Sequence, residues 1–192
     1  MNSKPLLMFL TLGVAMQGCS LSAQTVRLAP QVQVAQSDVG QGKLIGLDVN
    51  DARPDKKAGI IGDENIKFVT VAAEDGPPSA VYREAAEALT RLGFRVEPAS
   101  DASVRVLHIR LTELEYQSLK RPFTFDTEAK VTIAAVARNT HDRFERRYET
   151  EETSTSGSPP SHSEIARTIN SEVSKALDDV LSDQQLIALL AK

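Results

Sequence analysis

One stretch constrains the fold more than any other. From Phe123 to Ala137 the residues Phe123, Phe125, Thr127, Ala129, Val131, Ile133, Ala135 and Ala137 alternate with Thr124, Asp126, Glu128, Lys130 and Thr132. Successive side chains of a strand point to opposite faces, so a period of two over this length is a strand with one buried and one wet face. Such strands belong to antiparallel sheets covered on one side only. Asn139-Thr140-His141-Asp142 is a turn, and Phe144–Thr153 returns as a second strand. Its density of Glu and Arg marks a sheet edge guarded against edge-to-edge pairing.

The remaining elements follow from the same reading. Leu44–Asn50 is a strand in which Ile45, Leu47 and Val49 alternate with Gly46, Asp48 and Asn50, and Ile66–Ala72 is another. Val104–Tyr116 is a long strand whose apolar phase slips from Val104 and Val106 to Leu107, Ile109 and Leu111, which predicts a bulge or twist there. Asp75-Gly76-Pro77-Pro78-Ser79 opens a helix, because Pro fits a first turn. Its apolar stripe is Val81, Ala85, Ala88, Leu89 and Leu92. Gly93 ends it as a left-handed cap, with Phe94 folding back. Ser161-His162-Ser163-Glu164 reads as a capping box before the stripe Ile165, Ile169, Val173, Ala176, Leu177 and Val180. Ser182-Asp183-Gln184-Gln185 opens a short final helix through Leu186, Leu189 and Leu190 in the same way. Two main helices are too few to cover both faces of a sheet. The expected fold is therefore α+β: a mostly antiparallel twisted sheet of about five strands with two main helices on one face. It forms a single domain over residues 43–192.

The N-terminus decides location. Lys4 precedes the apolar run Leu6–Met16, which is well short of the roughly 20 residues needed to cross a bilayer and suits a signal peptide. Met16-Gln17-Gly18-Cys19 then has the form of a bacterial lipobox, with small Gly18 at the cleavage site. Cys19 is the only cysteine, so it makes no internal disulfide, and its thiol is the group that a thioether-linked diacylglycerol requires. Residues 1–18 are read as a signal peptide and residues 19–42 as lipidated Cys19 followed by a flexible tether, with a short edge strand at Val32 and Val34. Gly40 and Gly42 add to that flexibility. More than one acyl chain makes such anchoring stable. Ser20 stands where an Asp would signal inner-membrane retention, so outer-membrane sorting with the domain in the periplasm is expected.

The whole pattern resembles the YajG family of uncharacterised bacterial lipoproteins. The resemblance rests on the lipobox and tether, on Gly46-Leu47-Asp48-Val49-Asn50-Asp51-Ala52-Arg53, on Leu92-Gly93-Phe94-Arg95-Val96, on Leu111-Thr112-Glu113-Leu114-Glu115-Tyr116, and on the helical C-terminus. It implies an outer-membrane lipoprotein facing the periplasm, and no reaction.

Chemistry is sparse. Three histidines, His108, His141 and His162, lack a second ligand at metal spacing, so no metal or cofactor is expected. There is no Gly-x-Ser-x-Gly elbow, and Ser161-His162-Ser163 is better explained as a helix cap. Gly40-Gln41-Gly42-Lys43 precedes a strand instead of following one, so it is no nucleotide loop. Aromatics at 5%, no Trp and a net charge of −4 argue against nucleic acid as a partner. Asp51, Arg53 and Asp55, in the loop after the first strand, are the candidate contact site for a partner; a turn with a local Asp–Arg pair is the competing reading. Glu149, Glu151 and Glu152 beside Arg143, Arg146 and Arg147 read as a self-neutralising edge, with a cation or partner site as the competing reading. The expectation is a non-enzymatic envelope lipoprotein bound to the membrane through Cys19, acting as an interaction or accessory protein toward an envelope protein. A small-molecule or glycan binder is the alternative and a hydrolase the third reading.

Overall fold

The computed structural model describes residues 24–55, 57–62, 69–73 and 76–192. The elements are β1 (Gln24–Val26), β2 (Leu44–Asp51), β3 (Gly59–Gly62), β4 (Val69–Ala73), α1 (Pro77–Arg91), β5 (Arg95–Pro98), β6 (Val106–Lys120), β7 (Phe125–Arg138), β8 (Arg143–Ser156), α2 (His162–Ser182) and α3 (Gln184–Leu190). Of the expected strand Ile66–Ala72, residues 66–68 lie outside the described residues.

β6 is the spine of the sheet. Along one edge it pairs antiparallel with β7 over nearly its whole length, and β7 pairs antiparallel with the edge strand β8. Along the other edge it takes two parallel partners end to end. β2 runs from Gly46 opposite Val106 to Asp51 opposite Leu111, and β3 from Ile60 opposite Gln117 to Gly62 opposite Leu119. β5 lies parallel beyond β2, β4 antiparallel beyond β3, and β1 parallel beyond β4. Among the described residues the sheet is thus mixed and eight-stranded, not mostly antiparallel with about five strands. The difference has a cause. α1 supplies the crossover that lets β2 and β6 run parallel, and β1, β3 and β5 are too short to show a period of two.

The alternation in β7 does what it predicts. Ala129, Val131, Ile133, Ala135 and Ala137 are buried toward the helices, while Glu128 is exposed on the other face. All three helices share one core cluster with this face, through the stripes named above together with Ile187. In β6 the change of phase falls at Leu111/Glu113 and not near Val106. Leu107, Ile109 and Leu111 face the helices before the bulge; Leu114, Tyr116 and Ser118 are buried after it. Val104 is exposed and precedes the strand.

The cap of α2 forms as read, whereas at α3 the cap is Asp183 and not Ser182, which ends α2. The Ser161 hydroxyl and the Glu164 carboxylate close the box at α2, and Asp183 accepts from the Gln185 and Leu186 N–H groups at α3. Gly93 has φ 86°, the left-handed conformation, and the Phe94 N–H returns to the Leu89 carbonyl. Asn139 Oδ1 accepts from His141 and Asp142 N–H in the β7–β8 turn.

The expected tether is a packed strap from Gln24 onward. Val26, Leu28 and Val32 are buried, alternating with exposed Arg27, Ala29, Gln31 and Gln33. Backbone N–H groups of Ala29, Gln31 and Gln33 donate to Asn170 Oδ1, Ser174 Oγ and Asp178 Oδ1 of α2 at 2.7, 2.8 and 2.7 Å. The spacings explain the match: two extended residues advance about 6.6 Å and four helical residues about 6 Å. The Val32 N–H bonds Glu84 Oε1 of α1 at 2.7 Å, so the strap is held by both helices. Gly40 and Gly42 donate to the Leu92 and Gly93 carbonyls, which fixes this turn against the exit of α1. The period of two at Val32 and Val34 is real, but its hydrogen bonds go to helix side chains instead of a neighbouring strand.

Candidate functional site

β2 and β3 leave a gap between them on the edge of β6. The chain bridges it with the loop from Ala52 to Ala58, which carries the Asp51, Arg53 and Asp55 cluster. The Ala52 N–H still reaches the Leu111 carbonyl at 2.9 Å. The Asp51 carboxylate then takes the guanidinium of Arg53 with both oxygens, Nε to Oδ1 and Nη2 to Oδ2, each at 2.9 Å. Arg53 Nη1 crosses the loop to the Lys57 carbonyl at 3.2 Å. Arg53 is only 4% exposed. Asp55 Oδ1 accepts the Lys57 N–H at 2.9 Å, closing a second small turn. A side chain at position 59 would place its Cβ 2.1 Å from the Tyr116 carbonyl oxygen, so Gly59 is what allows β3 to close this tightly on β6.

The structure thus unites the three sequence-level candidates in one loop but divides their roles. Asp51 and Arg53 are spent on each other, and Arg53 is the buried staple of the loop, not a side chain offered to a partner. Asp55 and Lys57 form its exposed rim. Cys19 lies outside the described residues.

Beneath this rim is a cleft of about 480 Å³, walled by the loop, Ile60, the edge of β6 from Thr112 to Gln117, and Arg147 of β8. Its floor is organised by Glu113. The bulge turns Glu113 onto the open face of the sheet, where Oε2 accepts from Thr132 Oγ1 at 2.8 Å and faces Lys130 Nζ and Arg147 Nη2 at 3.6 Å each. Lys130 also meets Glu149 at 3.3 Å. The Glu149 hydrogen bond, followed by the charge of Glu113, raises the Lys130 ammonium above its ordinary value, so it stays charged. Sequence reading places the phase slip near Val106 and so misses Glu113, although the step of three from Leu111 to Leu114 marks the bulge, and it assigns Arg147 to the charged edge.

The charge arrangement continues along the open face. His108 Nδ1 lies 3.1 Å from Asp48, and Arg110 bonds Glu145 at 3.2 Å. The arginines and glutamates of β8 do not all neutralise one another. Arg147 and Glu149 serve the Glu113 cluster, while Arg146 pairs with Asp183 and Glu152 with Lys175 on the helix side. His141 sits in the turn and the His162 ring meets the Thr25 carbonyl at 2.7 Å, so the three histidines are dispersed. Among the described residues no group of three or more His, Cys, Asp or Glu could hold a metal ion. The described helices include none long and apolar enough to cross a membrane.

No curated protein matches the chain. Among solved structures, a Xanthomonas campestris protein of the DUF330 family is similar with a TM-score of 0.56 at 14% identity, over 87% of this chain and 94% of that one. A Helicobacter pylori homolog of a neuraminyllactose-binding hemagglutinin gives 0.47 at 10% identity, over 83% and 92%. Lipoprotein GNA1162 of Neisseria meningitidis gives 0.37 at 14%, over 72% and 97%. The first is a likeness of fold, and the other two are too distant to argue from. The profile of a family of uncharacterized lipoproteins matches residues 30–191, and the chain belongs to that family, the YajG family.

Proposed function

We propose that this lipoprotein is a non-catalytic accessory protein of the outer membrane. Lipid on Cys19 holds the domain in the periplasm, and the open face of the sheet receives an envelope protein. One observation carries the reading: the helices all lie on one face, leaving β6, β7 and β8 to present a broad face of mixed charge bordered by a cleft. Charges of both signs on a rigid sheet suit a protein partner, because complementary potentials steer encounter and fix register. Nothing about the cluster resembles a reacting centre. Lys130 is held between Glu113 and Glu149, and the staple Arg53 is inaccessible.

The test is photo-crosslinking in living cells from Asp55 and from Glu151, followed by mass spectrometry of the envelope fraction. One dominant protein captured from both positions is expected. Capture from neither favours the second reading, a small-molecule or glycan ligand. That reading rests on the cleft itself, which lies within the size range of ligand pockets and joins apolar Ile60 to polar Glu113 and Arg147.

A further inference from the structure

We propose that the β6–β7 hairpin tip, Lys120–Thr124, is a second membrane contact that inserts Phe123 into the lipid surface beside the acylated N-terminus. This rests on the reading of Cys19 as the lipid anchor. Phe123 is 92% exposed, far beyond the other exposed large apolar residues, Val39, Leu44 and Val104, which lie between 40% and 56%. It follows Lys120, Arg121 and Pro122 in the turn; Arg121 pairs with Asp126 at 3.2 Å, so the basic neighbour beside the ring on which the contact draws is Lys120. An aromatic ring with a basic neighbour is the chemistry of a membrane interface, where rings sit at headgroup depth and Lys and Arg meet lipid phosphates.

The topology puts this tip at the end of the sheet where β1 begins. β1 pairs parallel with β4, β4 antiparallel with β3, and β3 parallel with β6. β1 therefore runs antiparallel to β6, and its first residue, Gln24, marks the end of β1 nearer the tip. Gln24 is level with Gly59 through Val71, and Gly59 abuts Tyr116, four residues before the end of β6. The tip thus extends about 13–20 Å past Gln24 along the strands, and three strand spacings, about 14 Å, separate them sideways. Five peptide links join Cys19 to Gln24 and span at most about 18 Å in any conformation. A lipid on Cys19 therefore comes level with Phe123 only when this end of the domain faces the bilayer. Ser156 opposite Phe125, and His162 bonded to the Thr25 carbonyl, place the β8–α2 loop with Pro159 and Pro160 at the same end. The opposite end carries the polar Asn139–Asp142 turn.

The chain has no Trp, so Phe123→Trp supplies a single reporter. The full-length lipoprotein is purified from membranes, its N-terminal mass measured, and the protein reconstituted into vesicles of phosphatidylethanolamine and phosphatidylglycerol containing brominated lipid. Thr140→Trp reports from the opposite end. Bromine quenching at least threefold stronger for Phe123→Trp than for Thr140→Trp is expected, with Phe123→Trp shielded from aqueous iodide. Equal quenching, or a Trp at position 123 as open to iodide with vesicles as without, overturns the tip contact when Cys19 is found acylated and leaves the anchor standing. An unmodified Cys19 in the mature protein overturns both.

Discussion

The two faces of this sheet are built from the same strands and obey different physics. On the covered face, Leu107, Ile109, Val131 and Ile133 are sealed beneath three helices, and what matters is volume. On the open face, Glu113, Lys130, Glu149 and Arg147 meet in water-screened pairs at 3.3 to 3.6 Å, and what matters is the pattern of charge. Screened pairs of this kind contribute little to stability. The open face can therefore be tuned for recognition with little effect on the fold, whereas the covered face is fixed by packing.

Four measurements sharpen or break that contrast. The largest effect is expected on the covered face: Ile133→Ala, at a fully buried position, should lower the unfolding free energy by about 3–4 kcal/mol in a urea titration. A loss below about 1 kcal/mol would mean that this face is not the core. Arg53→Ala comes next. It strips the buried loop staple and takes the guanidinium from Asp51, at a cost of about 2–3 kcal/mol. Faster amide exchange in residues 52–58 would show where the loss lies, and unchanged exchange there would contradict a stapling role.

Asp183 is third, at the junction of β8, α2 and α3. Burial works to raise its carboxyl, but the Tyr148 hydroxyl, the Leu186 and Gln185 N–H groups and Arg146 outweigh it and hold the carboxyl below its ordinary value. A lowered carboxyl stabilises the fold above its unfolded value, near pH 3.9, and that contribution disappears as pH falls through the folded value. Asp183→Asn keeps a competent cap but removes the charge met by Tyr148 and Arg146, so it should cost about 1–2 kcal/mol at neutral pH and flatten the loss of stability on acidification. Parallel acid titrations of the two proteins would refute the assignment. The smallest effect belongs to Lys130→Ala on the open face, about 0–0.5 kcal/mol and further reduced in high salt. A cost above about 1.5 kcal/mol would make the Glu113 cluster structural and erase the distinction between the faces.

What was legible in the sequence were the long periods. The alternation of β7 and the stripes of α1 and α2 fix buried residues one by one, because each element is long enough for its period to repeat. The capping box of α2 was legible because its chemistry is local. The sheet order was not, since parallel pairing across α1 leaves no local mark and β3 has only four residues. The strap escaped for a related reason: its partners Asn170, Ser174 and Asp178 are polar residues far along the chain that read as a solvated helix face. Of the candidate site, the Asp51–Arg53 pair was visible from spacing alone, while the Glu113 side depended on a bulge where a single residue changes face.

The strap also determines how the domain carries a load. If the domain is held by lipid on Cys19 as proposed, a pull on it would enter at β1 and pass along residues 27–34. The bonds to Asn170, Ser174 and Asp178 lie across the direction of pulling, so tension shears them together instead of peeling them one at a time. Forced unfolding is governed by the rate of crossing such a barrier and not by equilibrium stability. The joint between leash and domain should accordingly be mechanically stiffer than a small sheet edge such as β1 and β4 alone would provide.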